Sequence, residues 1–155
     1  MTTTVVGLYD NETAARKAAD ALKKDGFENA WIHIEAHGAH ERGERRGDDL
    51  IGTLTGAGVP RDEAEFYTEG VRRGGSLLIL DAPEARADRA AELMNVHEPI
   101  HRESRETDWR NRGYKGYRRD ASALNSQEAE TERARYRGGN QESTERLTEA
   151  KEELH

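Results

Sequence analysis

His33, Glu35, His37 and His40 crowd one short polar stretch, and imidazoles beside a carboxylate are the usual materials of a metal site. Distance argues against the simplest version. Along a strand rising about 3.3 Å per residue, His33 and His37 stand about 13 Å apart. Ligands of one zinc ion must each lie within about 2.1 Å of it. His37 with His40, or Glu35 with a neighbouring histidine, makes an incomplete set. His97 and His101 flank Pro99, which interrupts helical i, i+4 geometry. Polar surface histidines are the simpler reading, and neither a metal ligand nor a cofactor is assigned. Trp31, His33, Glu35 and His37 are kept as a candidate ligand or interaction face.

Other groups look less like catalysts. Gly52, Gly56 and Gly58 resemble a phosphate loop, but no Lys-Ser/Thr follows and they lie between two helical segments. Asp48, Asp49, Asp62, Glu63 and Glu65 sit where helix N-termini recruit acids. Ser76 lacks a nucleophile-elbow pattern around it. The expectation is a protein that is not an enzyme and has no catalytic residues.

One further segment interleaves aromatic and basic residues, Trp109 to Arg119. Arg110, Arg112, Tyr114, Lys115, Tyr117, Arg118 and Arg119 could stack on single-stranded bases while contacting phosphates. The plainer reading is a linker whose aromatics rest on the domain. Residues 101–155 balance twelve basic against twelve acidic side chains, which weakens the nucleic-acid case. Residues 1–100 carry twelve basic against nineteen acidic, and an acidic surface repels phosphate backbones and anionic lipid.

The elements that must hold these groups follow from apolar periodicity. Val5 to Tyr9 leads through Asp10 into a helix with Ala15, Ala18, Ala19 and Leu22 on one face. Leu77 to Leu80 leads through Asp81 into another with Ala87, Ala90, Ala91 and Met94. A strand–helix unit written twice predicts an α+β, ferredoxin-like split β-α-β sandwich. The expected order is β-α-β-α-α-β-α-β, with a helical insertion between strands two and three.

Asn11 or Asp10 caps the first helix, from about Glu12 to Lys24, and Asp25-Gly26 ends it. Strand two runs about Asn29 to His37, with Trp31, His33, Glu35 and His37 on one side. Gly38 to Gly47 reads as a flexible loop. Helices follow around Asp48–Leu54 and from Pro60, at N1, to Arg73. Strand three spans Ser76–Leu80, the next helix Pro83–Val96, and a final strand Pro99–Glu103. Strands one and three are apolar on both faces, so either the insertion or a second subunit must cover the face without helices. A homodimer packed sheet to sheet is expected.

All Val, Ile, Phe and Met residues fall within residues 1–102; beyond them the larger aliphatics are Leu124, Leu147 and Leu154. The expected division is a folded domain over 1–102 and a polar tail over 103–155, disordered or partly helical. Helices are expected at about Gln127–Arg137, capped by Ser126, and at Gln141–Leu154. Cysteine is absent, and no apolar run approaches a membrane span. A soluble cytoplasmic protein without membrane contact is expected.

From Leu54 to Leu80 the chain reads LTGAGVPRDEAEFYTEGVRRGGSLLIL. This resembles the heat-induced stress protein YflT family of bacterial general stress proteins, as does the opening VVGLYDNETAARKAADALKKDGF. The resemblance covers about residues 3–102. It implies a small α+β domain linked to the stress response and supplies no catalytic residues. The function expected is a non-enzymatic general stress protein, an interaction or protective module with an unidentified protein partner. The alternatives are a nucleic-acid accessory protein using residues 102–119, and a ligand or metal sensor on the open sheet face.

Overall fold

The computed structural model describes residues 2–43, 46–119 and 121–136. It is an α+β structure built on a small antiparallel sheet. Strand β1 (Thr2–Tyr9) leads into α1 (Glu12–Lys24), whose first turn is closed by the Asn11 side chain accepting from the Ala14 amide at 2.8 Å. A 3-10 turn over Asn29–Trp31 precedes β2 (Ile32–Ala36). Three helices follow: α2 (His37–Glu41), α3 (Gly47–Gly56) and α4 (Arg61–Arg72). Strand β3 (Ser76–Pro83) and helix α5 (Ala87–Val96) repeat the opening strand–helix unit, and α6 (Arg102–Asn111) and α7 (Ser126–Ala134) complete the described elements.

The strand order is β1-β3-β2, and β3 pairs antiparallel with both neighbours, Val5 opposite Leu80 and Ile34 opposite Leu78. Strands β1 and β2 therefore run the same way, with α1 crossing between them and β3 inserted in the gap.

The period-two alternation of β3 explains its apolar character on both faces. Leu78, Leu80 and Ala82 pack with Tyr9 against Ala15, Ala18, Ala19 and Leu22 of α1 and Ala90 and Met94 of α5. Leu77 and Ile79 pack with Leu8 against Leu50, Ile51 and Leu54 of α3, Ala64, Phe66 and Val71 of α4, and Trp109 of α6. The insertion thus covers the second face itself, and that face gives no reason to invoke a second subunit. Contact between α4 and β1 is close enough that a Cβ on Gly70 would lie 2.2 Å from Leu8 Cδ2.

Three expectations fail locally. Among the described residues no fourth strand forms at Pro99–Glu103. Glu98 takes φ +56°, Pro99 has no N–H, and the single rung is Ile100 N–H to Leu8 O at 2.6 Å before the chain turns into α6. The expected loop after β2 begins as a helix at His37. And packing does not stop at residue 102. Trp109 is 1% exposed, Ala129 is fully buried, and Tyr114 and Tyr117 pack against the insertion-side core.

Helix α7 is capped by Asn125 rather than Ser126, in a reciprocal box with Glu128. The expected Gln141–Leu154 helix lies outside the described residues. No helix among them is long and apolar enough to cross a membrane.

Candidate functional site

The polar residues of β2 and α2 converge where the sheet meets the insertion. Glu35 alternates onto the insertion face of β2 and is only 5% exposed. A buried carboxylate must be hydrogen-bonded or paired. Here His33 Nε2 donates to Oε2 at 3.1 Å and His40 Nε2 donates to Oε1 at 3.0 Å. His40 can reach back because α2 starts immediately after the strand and folds it over Glu35.

His37, the first residue of α2, is also buried. Its Nδ1 lies 2.8 Å from the Val71 carbonyl, which can only accept, so that nitrogen carries the proton. Its Nε2 is buried without a hydrogen-bond partner among the described residues, 3.7 Å from Glu41 Oε2. Glu41 in turn accepts from the Ser126 amide at 2.8 Å and from its hydroxyl at 2.9 Å. One polar chain therefore links β2, α2 and the start of α7.

The cluster sits between two clefts. A space of about 420 Å³ at the ends of β1 and β2 is lined by Asn11, His37, Ser76 and Arg133. A second, of about 340 Å³, is lined by His40, Asp48, Glu69, Arg72 and Tyr117. Among the described residues, no three His, Asp or Glu side chains are arranged to hold a metal ion.

Of the expected face, His33 and Glu35 come together, His37 on α2 turns to Val71 and Glu41, and Trp31 joins neither. Its 3-10 turn shifts the strand phase, so the indole meets Phe27 edge-on at 6.4 Å and joins the α1-side core. Nor is the face open, since α2, α3 and α4 lie over it. Glu41 was not anticipated. Its spacing of four from His37 is the one sequence signal that could have found it.

The basic–aromatic segment is largely spent on the domain. Tyr114 packs edge-on against Trp109 at 5.7 Å, and Trp109 lies on Phe66 at 5.2 Å. Arg110 sits 5.4 Å from the Tyr114 ring and pairs with Glu106 at 3.3 Å. Arg112 pairs with Asp108 at 3.0 Å. The Tyr117 hydroxyl donates to Asp48, whose other oxygen lies 2.7 Å from Arg119 Nε. Lys115 and Arg118 are exposed. Burial raises the Tyr117 phenol well above its usual value, with Asp48 adding to the effect, and burial pushes Tyr114 up to about 12.

Helix α7 docks through polar groups and buries one apolar side chain, Ala129. Arg133 Nη1 donates to Gly74 O at 2.9 Å, and Glu132 meets Arg73 at 3.1 Å. Beyond its end, Tyr136 donates to Asp108 at 2.7 Å beneath Arg105, whose guanidinium lies 3.5 Å from the ring centre. That hydrogen bond, helped by Arg112, holds the Asp108 carboxyl below the usual carboxylate range.

Compared with protein-family models, curated proteins and solved structures, the chain matches none.

Proposed function

We propose that this chain is a non-enzymatic general stress response protein of the cytoplasm, acting as an interaction module whose last described helix, α7, docks reversibly. We further propose that its sheet is a ferredoxin-like sheet whose fourth position is left unfilled by α6. The YflT resemblance supplies the stress-response part of this reading. Its motif residues lie in turns and packed faces: Gly58 and Gly74 hold φ of +97° and +116°, and Val71 is fully buried.

The observation that carries the interaction part is the character of the α7 contact. Ala129 is the one side chain of α7 buried, and the rest of the docking rests on ion pairs and hydrogen bonds to α2, α4 and α6. The Arg73–Glu132 pair and the Tyr136–Asp108 bond are part-buried and the Ser126–Glu41 bonds exposed; a handful of polar contacts at about 1 kcal/mol apiece holds the helix, so it can leave without unfolding the core. Release would uncover Arg73, Arg105, Gly74 and the polar chain through Glu41 for a protein partner.

The nucleic-acid reading gains nothing from this geometry, because Tyr114 and Tyr117 are packed against the insertion-side core and Arg110, Arg112 and Arg119 are paired with carboxylates. A ligand reading would have to use the clefts beside His37 and His40.

The test is the gene itself under heat, salt or oxidative challenge. The reading expects induction of the protein and reduced survival on deletion. Unchanged survival together with unchanged protein level would overturn it.

A further inference from the structure

The two edges of the sheet are built differently. Strand β2 is five residues long and carries His33 and Glu35, the polar guards by which edge strands avoid pairing with other chains. Strand β1 is eight residues long, reads TTTVVGLY, and contains no charge and no proline. An uncharged, β-branched edge of that length is a template for another strand.

Register shows which of its backbone groups are free. Leu8 O accepts from Ile100 rather than from β3, so Leu8 directs its backbone groups away from the sheet. Alternation then points the N–H and C=O of Thr2, Thr4 and Val6 outward as well. Among the described residues, Ile100 supplies the single backbone bond on that edge, at its far end. Val5 and Val6 remain only partly buried although they lie mid-strand.

We propose that β1 is a homotypic docking edge, pairing antiparallel with β1 of a second copy of this chain about a two-fold axis at Thr4. Thr4 then faces Thr4, and Thr2 faces Val6, giving about six backbone hydrogen bonds across the junction. The register leaves Leu8 and its Ile100 bond intact. It brings no like charges together along the strand, which an isologous pairing must avoid. A two-fold axis normal to the sheet keeps the two strands' Thr4 and Val6 side chains on the same face. There a groove of about 390 Å³ beside the edge, lined by Thr2, Thr4, Val6, Val59 and Tyr67, leaves room for the added strand. The three-stranded sheet of one copy continues into that of the other. This inference is independent of the stress-response reading.

The test is the mass of the full chain by sedimentation equilibrium over a range of concentrations, with amide exchange read at Thr4 and Val6. The wild type is expected to sediment as a dimer, with both amides gaining protection as concentration rises. Thr4→Pro removes an outward N–H and the exposed hydroxyl bond from Thr4 to Asp81, but no backbone rung to β3. It should raise the dimer dissociation constant by about tenfold or more while leaving the circular dichroism and thermal midpoint of the monomer in place. Should Thr4→Pro fail to fold, Thr4→Lys sets two like charges opposite each other at the axis and should have the same effect. A wild-type monomer at every concentration would overturn the proposal. So would a dimer indifferent to both substitutions, or Thr4 and Val6 amides protected equally at all concentrations by the chain's own segments.

Discussion

Replacing Trp109 by alanine measures how far residues beyond 102 belong to the core. The indole is 1% exposed, lies 5.2 Å from Phe66 and 5.7 Å from Tyr114, and carries Arg73 at 4.7 Å from its ring. A buried aromatic of about 200 Å² at about 25 cal/mol/Å² gives about 5 kcal/mol as an upper bound. Its Nε1 is buried without a hydrogen-bond partner among the described residues, and removing that group offsets about 1–3 kcal/mol. The expected loss is about 3 kcal/mol, at the low end of the range for buried aromatics cut to alanine.

Trp109→Phe discards the unpaired N–H and leaves a smaller cavity, so it should cost within about 1 kcal/mol. The assay is urea unfolding followed by far-ultraviolet circular dichroism, comparing midpoints at constant slope. A Trp109→Ala midpoint indistinguishable from wild type, or a Phe variant as damaged as the Ala variant, would refute the reasoning.

Gly70→Ala should destabilise by about 1–2 kcal/mol in the same assay, overpacking against Leu8 at 2.2 Å outweighing the helical preference for alanine. Glu35→Gln leaves one acceptor oxygen for His33 and His40, and should lower the unfolding free energy by about 1–2 kcal/mol in the same assay through an unpaired buried imidazole N–H. Asp108 has a folded-state pKa below its unfolded one, so its contribution is present above about pH 4 and is lost as pH falls through the folded value. Tyr136→Phe removes the main cause, and carboxyl titration by nuclear magnetic resonance should show Asp108 moving up. The Tyr136 phenol is raised by burial and by Asp108. Its stabilising effect is present below about pH 10 and fades as pH rises toward the folded value, visible in absorbance titration of native against unfolded chain.

The duplicated strand–helix unit was legible because its apolar residues fall at helical spacing and become the buried face of α1: Ala15, Ala18, Ala19 and Leu22. The double-faced apolar run of Leu77 to Leu80 announced a strand covered on both faces but left the second cover open between the insertion and a second subunit; the insertion supplies it. Helix α2 was not legible, since His-Gly-Ala-His-Glu is too short to show a period and is held by contacts to Val71 and Glu35. Helix α6 escaped for a different reason. An inventory of aliphatics sees nothing in Arg102–Asn111, whereas one indole supplies the anchor. Trp31 was assigned to the wrong face because alternation was extended into a 3-10 turn. In the polar cluster, Glu35 and the histidines were visible as residue types. Their pairing depended on the fold of α2 over β2, which no spacing along a strand reveals.

Helix α6 belongs to the core while α7 is held by charge and hydrogen bonds, and residue-resolved amide exchange at low and at 1 M salt tests both together. Trp109 and Arg112 amides should exchange slowly at either ionic strength, while those of Ala129 to Arg133 should be protected at low salt and lose protection at high salt. Rapid exchange throughout α6, or protection of α7 that salt leaves unchanged, would contradict it.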